Sequence, residues 1–399
     1  MTRLRLFLVA GEPSGDRLGA AMMSGFRQIG IDCEFAGVGG EAMQAEGLDS
    51  LYPISDLSVM GFAEVVPSLP RIFARLAQTS RAAVAFAPDA LVTIDSPDFC
   101  LRVAARAKKA CPELLAIQYV APTVWAWRPW RASKLARIFD HVLAVYPFEP
   151  AFLRKYNVRS TFVGHPATET PTPTPAQADE IRREFGIEGD EPVAVVLPGS
   201  RKAEVARLGP VFGAALNLAI RELPGLRPIV PAAYPVADIV ADMVNSWPVR
   251  PAVLDPRGYS PESAEIRKRA LFEIASGAIA ASGTVSLELA SAATPMVIAY
   301  DMNWLSRQIV ASLLRVESVC LVNLAAEAKA VPECLGRDCR PEKIAGEFVR
   351  LFRDPGAREA QLQACRSAME RLGKGSGPSG ERAARAIAEI TGRMSNHIK

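Results

Sequence analysis

The chain has 399 residues, with 46 basic and 43 acidic side chains and a formal charge of +3. That length exceeds one ordinary core and points to two domains of roughly 200 residues. An apolar content of 49% excludes wholesale disorder, and so small a charge argues against a general nucleic-acid partner.

Leu4–Ala10 is a short apolar run that meets Gly11-Glu12-Pro13 at once, so it reads as a first strand and not as a signal peptide. Glu34–Val38, Ala90–Asp95, Leu115–Val120 and His141–Val145 read as further strands, with helical patterns such as Gly15–Gln28 and Leu101–Ala110 between them. This alternation predicts a parallel sheet with helices on both faces. Residues 168–177, TETPTPTPAQ, predict a stiff extended linker, because alternating Thr-Pro suits neither helix nor central strand. Strand signals resume at Val193–Leu197, Arg227–Pro231, Ala278–Ala281 and Met296–Tyr300, with helices such as Val205–Glu222 and Ser286–Ala292. A last helix, Pro378–Arg393, follows a Gly/Ser-rich turn. The expected layout is a first α/β domain over 1–167, a second over 178–375 and a tail helix over 376–399 that can cross back to the first domain or to a partner subunit. Two Rossmann-like domains facing a central cleft would bind ligands at the carboxyl ends of their strands. No segment approaches the ~20 apolar residues of a membrane span. Seven scattered cysteines without a CxxC pair, and three histidines, support neither a disulfide framework nor a metal centre.

Several segments carry chemistry. The turn Gly11-Glu12-Pro13-Ser14-Gly15-Asp16 sits between a strand and a helix, where the backbone is open to a ligand. Gly37-x-Gly39-x-x-Ala42 mimics a dinucleotide fingerprint, yet follows the second strand and lacks a ribose carboxylate. Asp95 and Asp98 end a buried strand and are base candidates, with helix capping as the plainer role for Asp98. Leu57–Phe73 is more apolar than a surface loop needs and runs into Arg71 and Arg75. That combination suits a membrane surface, an acyl-chain pocket or simple core. Tyr119–Arg137 mixes three tryptophans with Arg128, Arg131, Lys134 and Arg137, which suits a nucleic acid, an anionic lipid or sugar phosphate, or a solvated helix with its tryptophans in the core. In the second domain Arg201 can clamp a phosphate. The Ser282-Gly283-Thr284 turn can point amides at a diphosphate, and Glu288, one turn on, can hold ribose hydroxyls.

Read in order, AGEPSGD (from Ala10), VMGFAEVV (from Val59), IDSPDF (from Ile94), YVAPTVWAWR (from Tyr119), FVGHP (from Phe162), LPGSRKAEV (from Leu197) and ASGTVSLE (from Ala281) resemble the lipid-A-disaccharide synthase family. These bacterial enzymes have the two-domain GT-B architecture. The sequence departs from the family at Cys100, where Asn is usual, at Ala121 and Thr123, around Val322-Asn323, and in a longer 255–265 connection. The resemblance implies an inverting transfer from UDP-2,3-diacylglucosamine to 2,3-diacylglucosamine 1-phosphate (lipid X), giving a β-1,6-linked disaccharide 1-phosphate and UDP. It implies Asp95 as base, with Glu12 and Asp98 nearby. It places Arg201, Ser282, Gly283, Thr284, Glu288 and Asn323 on the donor. Ser14, Gly15, Met60, Phe62, Val66, Leu69, Arg71, Trp127, Arg128 and Arg131 fall to the acceptor or the membrane. Neither metal nor cofactor is implied, nor is nucleic acid. The expected location is cytoplasmic, on the inner face of the inner membrane, and a homodimer stays open. Another GT-B enzyme such as a UDP-sugar epimerase, or a non-catalytic sugar-nucleotide or lipid-binding protein, would share part of this pattern.

Overall fold

The computed structural model describes residues 3–57, 62–127, 131–302 and 318–394. The chain forms two compact units: Met1–Glu169 together with Leu372–Lys399, and Thr170–Arg371.

Among the described residues the first unit holds a six-stranded sheet. Its strands are β1 (Leu4–Ala10), β2 (Cys33–Val38), β3 (Ala90–Ile94), β4 (Ala116–Tyr119), β5 (His141–Ala144) and β6 (Ser160–Phe162), in the order β2-β1-β3-β4-β5-β6. Every pairing is parallel. Helices on both faces bury the central strands, so β3 is buried at every position and reads as a continuous apolar run without alternation. The order reverses between β1 and β3. The connections that leave their carboxyl ends diverge there and open the crevice where doubly wound sheets bind ligands.

The second unit repeats the plan with β7 (Val193–Leu197), β8 (Arg227–Pro231), β9 (Ala252–Leu254), β10 (Gly277–Ala281), β11 (Met296–Tyr300) and β12 (Glu333–Leu335), in the order β12-β11-β10-β7-β8-β9. Its reversal lies between β7 and β10. Both sheets, flanked by helices, give the two-unit GT-B type α/β architecture that the alternating pattern predicts. The helix Lys202–Glu222 is long and apolar enough to span a membrane by length and composition, where the sequence pattern offers no span. Its Val205, Leu208, Phe212 and Leu216 are instead buried in the core of the second unit.

Two stretches carry structure that the sequence pattern does not specify. Residues 168–177 are not a bare spacer. A helix starts at Pro175, closed by a capping box in which Gln177 N donates to Thr174 Oγ1 and Thr174 N to Gln177 Oε1. Thr170–Pro173 lie along the second unit beside Arg269 and Glu288. The apolar segment 57–73, read from its composition as membrane contact, acyl-chain pocket or core, enters a helix, Phe62–Phe86.

The tail returns to the first unit at Leu372, whose carbonyl accepts from His165 N at 3.0 Å. The helix Ser379–Ile390 then packs on the helix Pro13–Gln28, with Ala383, Ala384 and Ile387 buried. Gly25 and Gly380 let the two backbones touch: a Cβ on Gly25 would lie 2.5 Å from Gly380 O, and one on Gly380 only 2.3 Å from Ala21 O. Arg382 reaches Phe162 O at 3.4 Å, and Glu169 accepts from Ser379 N at 2.5 Å.

Candidate active site

At the reversal point of the first unit, Asp95 and Ser96 follow β3 with φ of +54° and +39°. Two consecutive non-glycine residues in the left-handed region are strained, and such strain concentrates at functional sites. Three contacts hold the conformation. Asp95 Oδ2 accepts from Ser14 Oγ at 2.8 Å, and Ser96 Oγ donates to Glu12 Oε1 at 3.1 Å. Gln118 is fully buried in β4, and its Nε2 donates to the carbonyls of Asp95, Tyr119 and Val120 at 3.3, 3.1 and 3.1 Å. Its Oε1 accepts from Thr93 Oγ1 at 2.7 Å. Gly15 lets the helix start close against the strand end, since a Cβ there would lie 3.0 Å from Ile94 O. Thus Glu12, Ser14, Gly15 and Asp95 meet, as expected of neighbours across a reversal point.

Asp98 does not join them. Its exposed carboxylate, in the first turn of the helix Pro97–Ala110, accepts from Arg131 at 3.0 Å. Cys100, at the Asn position of the family, is buried with Sγ facing Val9 O and Ile94 O at 3.7 and 3.9 Å. The Gly37/Gly39 decoy is filled from within: the buried Asp16 accepts from the amides of Gly40, Ala42 and Met43 at 2.7, 3.0 and 3.1 Å. An anion already caps that helix start.

Of the apolar and basic residues assigned to acceptor or membrane, Met60 and Arg128 lie outside the described residues, as do the side chains of Phe62, Val66 and Trp127. Leu69 and Phe73, one helical turn apart, are 38% and 50% exposed. Arg71 is exposed at the same end, with Asp56 3.9 Å away. Arg75 points inward: it bonds Asp56 at 2.6 and 2.9 Å and lies over the Tyr52 ring. Trp125 is buried, and its Nε1 donates to Glu149 Oε1 at 3.1 Å. Glu149 is wholly buried, and its Oε2 accepts from Val145 N and Tyr146 N at 3.0 Å each. Burial pushes its carboxyl up to about 7 against those three donors.

The second unit has a cavity of ≈ 860 Å³ at the carboxyl ends of β7, β8, β9 and β10, lined by Arg201, Ser282, Gly283, Thr284 and Glu288 among others. Its volume lies within the ordinary range of small-molecule binding sites. Gly283 and Thr284 are exposed, and a Cβ on Gly283 would meet nothing within 4 Å, so their backbone faces open space. Ser282 Oγ donates to Val319 O at 3.2 Å, and Ser286 Oγ to Gly283 O at 2.8 Å, which braces the turn. Four carboxylates (Glu204, Asp255, Glu265, Glu288) face three cations (Arg201, Arg267, Lys268) in this lining. Arg267 turns away to Glu180 and Glu184. Lys268 sits between Glu265 and Glu288. Arg201 is the least engaged, 77% exposed and 3.6 Å from Glu204. It is therefore the side chain best able to meet a diphosphate.

Asn323 is not in that lining. It is buried, its Nδ2 donates to Val331 O at 2.9 Å and to Glu333 Oε2 at 3.3 Å, and its Oδ1 accepts from Val331 N at 2.9 Å. In this structure its amide is engaged in fixing the turn before β12.

Sequence reasoning passed over Gln118, Glu149 and Lys268. A glutamine inside the apolar run AIQYV was a readable signal for the first. No signal marked the other two.

The family model described as lipid-A-disaccharide synthetase matches residues 6–387. A lipid-A-disaccharide synthase of Ruegeria pomeroyi is 50% identical over 386 residues, 97% of this chain and 95% of that protein. One from Rhodospirillum centenum is 43% identical over 391 residues, covering 98% and 95%. In fold, the chain is similar to a UDP-GlcNAc 2-epimerase from Neisseria meningitidis bound to UDP-GlcNAc, with TM-score 0.62, 12% identity and coverage of 99% and 100%. It is also similar to the S. aureus MnaA–UDP structure, with TM-score 0.65, 11% identity and coverage of 98% and 96%.

Proposed function

The chain belongs to the lipid-A-disaccharide synthase family, whose members are glycosyltransferases, and from that premise we propose that it condenses UDP-2,3-diacylglucosamine with lipid X by inversion. Asp95 takes the proton of the acceptor 6-hydroxyl. The oxygen attacks C1 of the donor sugar on the face opposite the diphosphate. The bond from C1 to the diphosphate oxygen breaks, and UDP leaves with that electron pair. One base and no covalent intermediate turn an α-linked donor into a β-1,6 product. The observation that carries this reading is the strained Asp95, oriented by Ser14 where the order of the first sheet reverses. Arg201 and the amides of the Gly283-Thr284 turn would stabilise the developing charge on the diphosphate. Glu288 would take the ribose hydroxyls. The fold likeness to epimerases is shared GT-B architecture, and the tryptophan/arginine stretch of the first unit has no task in an epimerase.

Radiolabelled donor and acceptor incubated with the protein should yield disaccharide 1-phosphate and UDP, at an undiminished rate in EDTA. A free labelled epimer, or no product at all, would sink the synthase reading. Loss of activity on chelation with rescue by magnesium would overturn the role given to Arg201.

The acyl chains of both substrates anchor them in a bilayer, so we further propose a peripheral site of action on the cytoplasmic face of the inner membrane. Leu69 and Phe73 are the exposed apolar pair that would enter the lipid, with Arg71 meeting anionic headgroups at ~1 kcal/mol. Sedimentation with anionic vesicles should weaken with salt and fall in a Leu69→Glu, Phe73→Glu double variant that keeps its circular dichroism. Equal sedimentation of variant and wild type would move the contact elsewhere.

A further inference from the structure

The wall of the second-unit cavity is built around a lysine that no motif contains. Lys268 lies on the helix Pro261–Ile274, three residues past the end of the longer 255–265 connection. Its Nζ is 2.7 Å from Glu288 Oε2 and 2.9 Å from Glu265 Oε2. Arg269 Nε holds the other oxygen of Glu265 at 3.1 Å. Behind Glu288, Thr170–Pro173 close a small second cavity of ≈ 20 Å³. Burial disfavours the charge on Lys268, but the two carboxylates outweigh it and raise its pKa, so the ammonium stays charged. The result is a chain of alternating charges, Arg269, Glu265, Lys268 and Glu288, that ends at the cavity.

A glutamate side chain has three torsions. If they are free before ligand arrives, their ordering is a cost of binding; if a neighbour fixes them, it is not. Among the described residues, Lys268 is the cation that touches Glu288. We propose that Lys268 is a positioning residue for donor recognition, holding the Glu288 carboxylate in the orientation that meets the ribose. This rests on the reading of Glu288 as the ribose-binding carboxylate.

The test is a double-mutant cycle on UDP affinity by calorimetry, joined to donor KM and kcat. Lys268→Met should weaken UDP binding and raise donor KM about tenfold, with kcat within about threefold of wild type. Lys268→Arg should restore most of the loss. Glu288→Gln should weaken UDP binding by a similar factor, and Lys268→Met should add little to it. If Lys268→Met leaves the UDP Kd unchanged while Glu288→Gln weakens it, the positioning inference fails and the ribose reading stands. If Glu288→Gln has no effect on UDP, the ribose reading itself fails. If Lys268→Met weakens binding equally with and without Glu288, the lysine acts on the donor directly, which also overturns the inference. Should Lys268→Met fail to fold, Lys268→Gln carries the same cycle.

Discussion

Asp95→Asn should lower kcat by about 10²–10⁴-fold and leave the Kd for UDP where it was. The substitution is clean for a structural reason. Asn is the same size, its amide oxygen can still accept from Ser14 Oγ, and Asn tolerates the left-handed region in which residue 95 sits at φ +54°. The strained turn therefore persists, and only the basic oxygen is lost. Asp95→Ala would confuse the two, because it adds backbone strain to the loss of the base. Single-turnover measurement with labelled donor, beside calorimetry with UDP, separates chemistry from binding. Near-normal turnover in Asp95→Asn would transfer the base to Glu12. Asp98 is a poor heir, since its carboxylate is turned out toward Arg131.

Glu149→Leu should destabilise the first unit by about 3–5 kcal/mol, from the unsatisfied buried donors it leaves. The indole of Trp125 and the amides of Val145 and Tyr146 all lose their acceptor in a site without exposure. The pH dependence has a defined sign. The folded carboxyl holds its proton up to about 7, above the ordinary 4.5 of the unfolded chain. Between those values the unfolded state binds fewer protons. The contribution of Glu149 is thus fullest below pH 4.5 and declines as pH rises toward 7. Urea unfolding followed by tryptophan fluorescence at pH 5 and pH 7.5 should show a lower midpoint in the variant and a flatter pH slope. An unchanged midpoint at both pH values would mean that the three donors find other acceptors. Glu149→Gln is not a neutral control, because its one oxygen cannot serve three donors and its amide group would face them.

The ends of the long central strands were legible because Gly, Pro and Asp punctuate runs of Val, Ile, Leu and Ala, and the site residues sit in those punctuation marks. Glu12, Ser14, Asp95, Arg201 and the Ser282–Thr284 turn all follow strands whose carboxyl ends define the sites. The three-residue strands Ser160–Phe162, Ala252–Leu254 and Glu333–Leu335 were not legible. A run that short has no period, and edge pairing alone makes it a strand. Asn323 shows a different limit. Its residue type suits a ligand as well as a turn, and only the positions of Val331 and Glu333 reveal that its amide is engaged in the turn. Lys268 was hidden by ordinariness: a lysine three residues after a glutamate on a helix reads as a solvated ion pair. What raises it above that reading is Glu288, which the fold brings from twenty residues further along.

The chain leaves the first unit after Glu169 and comes back to it at Leu372. On the ribosome, therefore, the unit that is begun first is finished last. The helix Pro13–Gln28 emerges early, with Gly25 bare on the face that Gly380 will cover. At ~5–20 residues per second the intervening ~200 residues take ~10–40 s to appear. By the end of that interval the second unit is complete in sequence, while the nascent first unit still shows an uncovered helix face. Premature termination between Arg371 and Ser379 yields a chain whose second unit is whole and whose first unit lacks its closing helix.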